Sequence, residues 1–291
     1  MQRRTFLQSA MLSGAAVANQ AAIGSSLPLA RSAALKETAA GKRQQWYELR
    51  TYLFVNDAQR QLTDSYLQQA YLPALNRAGI KDVGVFSEMQ PQGAAQSSTA
   101  AQPPAGADIP GVAKTFLLIP FDSIESFTAI NQKLAHDAAY LSAGEAYLAA
   151  APSSPAYDRI ESSLLRAFAH MPKIEVPEKK ERIFELRRYE SPSESAGQKK
   201  IEMFNEAGEI DIFKKAAARP VFFGETMIGA RRPNLTYMLC FDDMVAHDAH
   251  WKAFGSDPEW KRISTMPEYL DAKLISKITR TFLTPAVYSQ V

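Results

Sequence analysis

Trp46-Tyr47-Glu48-Leu49-Arg50-Thr51-Tyr52 returns later in the chain as Ile183-Phe184-Glu185-Leu186-Arg187-Arg188-Tyr189. Both copies share the string Glu-Leu-Arg-x-Tyr and alternate apolar with polar residues, the mark of a β-strand with two different faces. Each string opens a run of elements in the same order, so the chain reads as a duplication.

Around the first copy, a strand at 45–55 leads to a helix capped by Asn56 or Asp57 and running to about residue 77, with Pro73 interrupting it and Gly79 closing it. A strand at 80–89 follows, then a Gly/Ala/Pro/Ser/Gln-rich stretch at 90–112 that lacks periodicity and reads as a mobile loop. A strand at 114–121, helices at about 123–134 and 137–149, and a strand at 159–168 complete the copy. The second copy repeats the order with a strand at 182–190, a helix at 193–217, strands at 220–229 and 234–241 around the turn Arg231-Arg232-Pro233, helices at 244–254 and 258–263, and a strand at 274–283. Trp46 aligns with Ile183 and Phe86 with Phe223 at one spacing; past the loop, a shorter spacing aligns Phe121-Asp122 with Phe241-Asp242 and Asp137 with Asp257. The expected division is a leader and tether at 1–43, a first unit at 44–171, a Pro-rich linker at 172–180 and a second unit at 181–291.

Strand, helix, strand, strand, helix, strand is the ferredoxin-like order. The expected fold class is therefore α+β: two tandem ferredoxin-like units, each an antiparallel sheet with helices on one face. The bare face of each sheet needs cover, which the other copy or a second chain would supply.

The chain has 291 residues, is 46% hydrophobic and 22% charged, and sets 33 basic against 31 acidic side chains for a net charge of +2. That balance offers no concentrated basic surface and argues against a nucleic-acid partner. Cys240 is the single cysteine, which excludes an intrachain disulfide. Arg3-Arg4-Thr5-Phe6-Leu7 before a short run of small apolar residues resembles a twin-arginine export signal, so the expected location is periplasmic or secreted. The run is too short for a stable membrane span.

Glu48-Leu49-Arg50-x-Tyr52 and Glu185-Leu186-Arg187-x-Tyr189, together with Phe241-Asp242-Asp243-Met244, Trp251 and Asp257-Pro258-Glu259-Trp260-Lys261, make the chain similar to the NIPSNAP family over roughly residues 45–285. The resemblance implies the dimeric α/β-barrel fold and an exported tandem member, and brings no catalytic residue set with it. The first copy departs from the pattern: Asn131 stands where the second has Trp251, and Asp137-Ala138-Ala139-Tyr140 replaces Asp-Pro-Glu-Trp.

Alternation puts Tyr47, Leu49 and Leu53 on one strand face and Trp46, Glu48, Arg50 and Tyr52 on the other. With the apolar set assigned to the helices, Glu48, Arg50, Tyr52, Glu185, Arg187 and Tyr189 are expected to face the space between the sheets. There they form either a Glu-Arg lattice or a site for a small anionic or aromatic ligand, with the arginines as carboxylate or phosphate clamps. The leading expectation is a small-ligand or protein binding module, with a homo-oligomer as a further partner arrangement. The alternative is a cofactor-independent monooxygenase- or isomerase-like enzyme using the same Glu, Arg and Tyr. His247 and His250 share a helix face but lack a ligand set beyond Asp243 and Asp248, so no metal is expected, haem is a minor alternative, and the histidines read as helix-surface groups.

Overall fold

Strand β1 (Trp46–Phe54) starts the first copy, and the Asn56 side chain caps α1 (Asp57–Tyr66) by accepting from the Gln59 amide. The computed structural model describes residues 43–89 and 113–291; the expected export signal and the expected loop at 90–112 lie outside them. The helix does not break ahead of Pro73. It widens into one π-turn, Leu67–Tyr71, and resumes as α2 (Leu72–Arg77), where Pro73 sits in the first turn and its missing N–H costs little. Then come β2 (Gly84–Glu88), β3 (Ala113–Phe121), α3 (Ile124–Ala135), α4 (Ala138–Ala143), α5 (Glu145–Leu148) and β4 (Arg159–Ala167).

The second copy runs β5 (Ile183–Glu190), α6 (Glu194–Asn205), α7 (Glu209–Lys215), β6 (Arg219–Ile228), β7 (Asn234–Phe241), α8 (Met244–Ser256), α9 (Pro258–Ser264), α10 (Asp271–Leu274) and β8 (Lys277–Pro285). The single helix expected at 193–217 is two, because Gly208 adopts a φ of 92° between them.

Within each copy the strands lie in ferredoxin-like order, β4-β1-β3-β2 and β6-β7-β5-β8, and every pairing is antiparallel. Two seams join the copies: β2 pairs with β8 and β4 with β6, closing one eight-stranded barrel. The cover each sheet needs thus comes from the other copy in the same chain, and closure removes the edges that would otherwise recruit further strands.

Three apolar clusters follow. One fills the barrel interior, with Tyr47, Phe86, Leu118, Leu165, Phe184, Phe222, Met238 and Leu283. The others lie between the barrel and the helices of each copy, around Tyr66, Leu75 and Phe121 in the first and Phe204, Phe213 and Tyr237 in the second. β7 is buried on both faces at every position, whereas β4 and β8 are exposed over much of their length.

The register also corrects one sequence alignment. Phe86 pairs with Phe116, whereas Thr236, the counterpart of Phe116, pairs with Gly224. Phe86 thus corresponds to Gly224 and not to Phe223, because an irregularity between Pro220 and Phe222 shifts β6 by one residue. A one-residue shift changes the face: Phe86 packs inside the barrel and Phe223 beneath the helices.

Candidate functional site

The Glu-Leu-Arg-x-Tyr side chains lie on the face opposite to the one expected. Leu49 and Leu186 point into the barrel, while Glu48, Arg50, Tyr52, Glu185, Arg187 and Tyr189 lie beneath the helices. The expectation rested on the apolar set meeting the helices. The barrel interior is the narrower space and takes the apolar set, and the helix layers hold partners that satisfy the charges.

In the first copy Arg50 donates from Nε and Nη2 to the two Glu48 oxygens at 2.8 and 3.0 Å, and from Nη1 to the Tyr52 hydroxyl at 3.3 Å. The Ser162 hydroxyl donates to Glu48 at 2.8 Å, and the guanidinium lies over the Tyr71 ring. Tyrosines surround this pair, with Tyr66 stacked on Tyr147 and its hydroxyl 2.9 Å from that of Tyr140.

The second copy is more elaborate. Glu185, wholly buried, accepts from Arg187 at 2.7 Å and from the Trp251 indole N–H at 2.8 Å, and lies 3.3 Å from His247 Nε2. Arg187 stacks on Trp251 at 4.4 Å and donates to Tyr189, whose hydroxyl meets that of Tyr237 at 2.9 Å. Burial holds both phenols above the usual tyrosine range. Deeper in the same layer, Lys200 Nζ lies 3.2 Å from Glu209 and 3.3 Å from Asp271. Burial opposes the Lys200 charge, and those two carboxylates more than offset it, so its pKa rises. These ion pairs are closed: each arginine of the repeated motif has its own strand's glutamate as a partner.

His247 is a buried residue turned onto Glu185, with Nδ1 2.8 Å from Asp248, and so departs from the expected helix-surface setting. Trp251 next to it had no counterpart at Asn131, a difference visible in the sequence, but only the fold shows that it seats Glu185. Cys240 is buried inside the barrel, where burial pushes its thiol up to about 11.

The space between the sheets does contain a cavity, of about 480 Å³, at the barrel end where β1, β5 and β6 finish. Its lining comes from the strand positions next to the repeated motif residues. Leu49, Leu53 and Phe116 give an apolar wall from the first copy, and Thr226, Thr236, Asn234 and Thr279 a polar one from the second. Lys114, Arg188, Arg231 and Arg280 line it as cations and Glu88 and Glu161 as carboxylates. Lys114 lies 3.8 Å from Glu88. Arg188 lies 3.3 Å and Arg231 3.8 Å from a shared Glu190 oxygen. The β6–β7 turn places Arg231: Asn234 accepts from Thr226 and donates to the Ala230 and Arg231 carbonyls. Sequence reading recognised that turn, but had no signal that it borders a cavity.

No histidine lines the cavity, and no group of three His, Cys, Asp or Glu among the described residues is placed to hold a metal ion. The cavity lining therefore does not fit an axially ligated haem. No helix among the described residues is long and apolar enough to cross a membrane.

Comparison with known proteins places the second copy in a family. Residues 184–290 match the NIPSNAP family model. Two solved structures share the fold across both copies: a candidate monooxygenase from Fusobacterium nucleatum subsp. nucleatum, 9% identical, TM-score 0.52, covering 84% of this chain and 93% of that one; and a candidate monooxygenase from Lactobacillus acidophilus, 8% identical, TM-score 0.51, covering 83% and 94%. A NIPSNAP-like domain protein from Burkholderia xenovorans is 19% identical, with a TM-score of 0.34, over 38% of this chain and 89% of that one. No curated protein matches the sequence.

Proposed function

The chain belongs to the NIPSNAP family through its second copy, and from that premise we propose that it is a small-ligand binding module whose seat is the open end of the barrel. The observation that carries this reading is the cavity of about 480 Å³ between the sheets. Its size is in the range of small-molecule sites, and it combines an apolar wall with convergent polar groups. The Glu-Leu-Arg-x-Tyr residues then act as scaffold, fixing β1 and β5 to the helices so that Leu49, Leu186 and Arg188 are held toward the cavity.

Glu88 and Glu161 in the same lining favour a second reading, a cofactor-independent enzyme that converts what it binds, since a carboxylate beside a bound molecule can take a proton from it. The Arg3-Arg4 motif supports export by the twin-arginine route as the setting for either activity.

Native mass spectrometry of the protein purified from its own host tests the binding reading. The expected result is a retained small molecule of defined mass, absent from a folded Leu186→Trp variant whose indole occupies the cavity. A clean apo mass for both proteins would sink it, and a retained mass that changes on incubation would select the enzyme.

A further inference from the structure

The two copies contribute unlike walls to one cavity, and the difference can be followed position by position through the strand register. In the first copy Phe116 pairs with Thr51 on one side and Phe86 on the other. At the matching place in the second copy, Thr236 pairs with Arg188 and Gly224. Thus Phe116 answers to Thr236, Thr51 to Arg188 and Phe86 to Gly224. Of these six, Phe116 and Thr51 line the cavity from the first copy and Thr236 and Arg188 from the second, while Phe86 and Gly224 lie outside the lining. A Cβ on Gly224 would stand 3.0 Å from Leu165 Cβ, so the Leu165 side chain lies close against that glycine.

Next to this polar wall, Glu190 shows what the guanidinium groups accept. One of its oxygens is 3.3 Å from Arg188 Nε and 3.8 Å from Arg231 Nη1, so a carboxylate fits between the two side chains. Arg188 also donates to the Thr279 hydroxyl at 3.4 Å. Planar guanidinium groups beside short hydroxyls suit a carboxylate better than a diffuse charge, because their N–H donors lie in the plane that a carboxylate presents. The opposite wall of Leu49, Leu53 and Phe116 suits an apolar ring or short chain.

Resting on the reading of the cavity as a ligand seat, we propose that its ligand is a small organic carboxylate with a ring-sized apolar body. The body lies against Leu49, Leu53 and Phe116 of the first copy, and the carboxylate is held from the second copy by Arg188 and Arg231. The two halves of one chain then have different tasks at one site, the first holding the body and the second the charge.

Isothermal titration of the full chain with benzoate and with benzamide, its neutral isostere, tests this. Two variants each return one second-copy position to its first-copy counterpart: Arg188→Thr and Thr236→Phe. Circular dichroism establishes that both fold. The proposal expects saturable benzoate binding, benzamide binding weaker by about 10- to 100-fold, and a similar loss for benzoate on Arg188→Thr, the range of a lost charge-assisted hydrogen bond. Thr236→Phe, which puts a ring in the cavity, is expected to remove binding of both probes. Benzamide binding as tightly as benzoate, with both lost in Thr236→Phe, would overturn the carboxylate assignment and leave the cavity reading standing. Binding of either probe unaffected by Thr236→Phe would overturn both. Benzoate failing to bind at millimolar concentration would overturn the assignment, with the retained mass from the host-purified protein deciding the cavity reading separately.

Discussion

Glu185 and Glu48 occupy the same place in the two copies and differ in the donors they satisfy. Both pairs are largely enclosed, but Glu185 accepts from Arg187 and the Trp251 indole and lies against His247, whereas Glu48 accepts from Arg50 and the Ser162 hydroxyl. Removing either carboxylate leaves its arginine uncompensated, and the cost grows with the number of other buried donors left without an acceptor, the Trp251 indole and His247 in the second copy and only the rotatable Ser162 hydroxyl in the first. Glu185→Ala is expected to lower stability by about 3–5 kcal/mol, and Glu48→Ala by about 1–3 kcal/mol. Urea unfolding checks the ranking, and equal losses would contradict it. A second residue carries a pH dependence. Lys215 Nζ lies 2.6 Å from the Asp257 carboxylate, and with the Glu259 and Trp260 amides it holds that group below the usual aspartate range. Because the folded pKa is depressed, this stabilisation is present above the unfolded value of about 4 and is lost as pH falls through the folded one. Asp257→Asn keeps an acceptor for the amides without the charge, so its melting temperature should fall less steeply than the wild type's below about pH 4. Parallel acid limbs for the two proteins would remove Asp257 from the account.

At the scale of the element, caps and turns were the most legible features. Ser193 and Asp257 start helices by accepting from amides two or three residues on, and Pro258 fits the first turn of α9, as residue types at those positions lead one to expect. Helix continuity was less legible. The apolar period from residue 193 to 217 passes through Gly208 without a change of face, yet the chain turns there at a φ of 92°. Gly208→Ala would meet no atom within 4 Å but would strain the backbone, so a loss of about 1 kcal/mol is expected in thermal unfolding. No loss would mean that the turn relaxes to a conformation open to alanine. Pro73 shows the opposite case: a residue that suggests a break is accommodated by a π-turn before it, since the surrounding side chains Leu67, Ala70 and Tyr71 are buried and hold the helix on its sheet.

The described residues form one barrel with two seams, β2–β8 and β4–β6, and neither copy has a closed sheet without the other. Opening one seam exposes the interior cluster to which both copies contribute, so the copies are expected to unfold together. Trp46 reports on the first copy, and Trp251 and Trp260 on the second. Variants retaining tryptophan in only one copy should give superimposable urea transitions; separate midpoints would show that the copies are independent folding units.

The sequence by itself determined the duplication, the ferredoxin-like element order and the family resemblance, because these rest on local periodicity, turn residues and a string repeated in register. It also identified Glu48, Arg50, Glu185 and Arg187 as charges that need either pairing in a Glu-Arg lattice or a ligand site to line. It could not determine which way they point. In a barrel with helices packed outside it, β1 and β5 have cover on both faces, so alternation separates two sets of side chains without saying which set is inside. Only the tertiary structure decided that Glu-Leu-Arg-x-Tyr turns toward the helices and that Leu49, Leu186 and Arg188 turn toward the cavity. Closure through the two seams made that choice: the narrow interior admits the apolar set along most of its length, and widens to polar groups where Phe116 faces its shorter counterpart, Thr236.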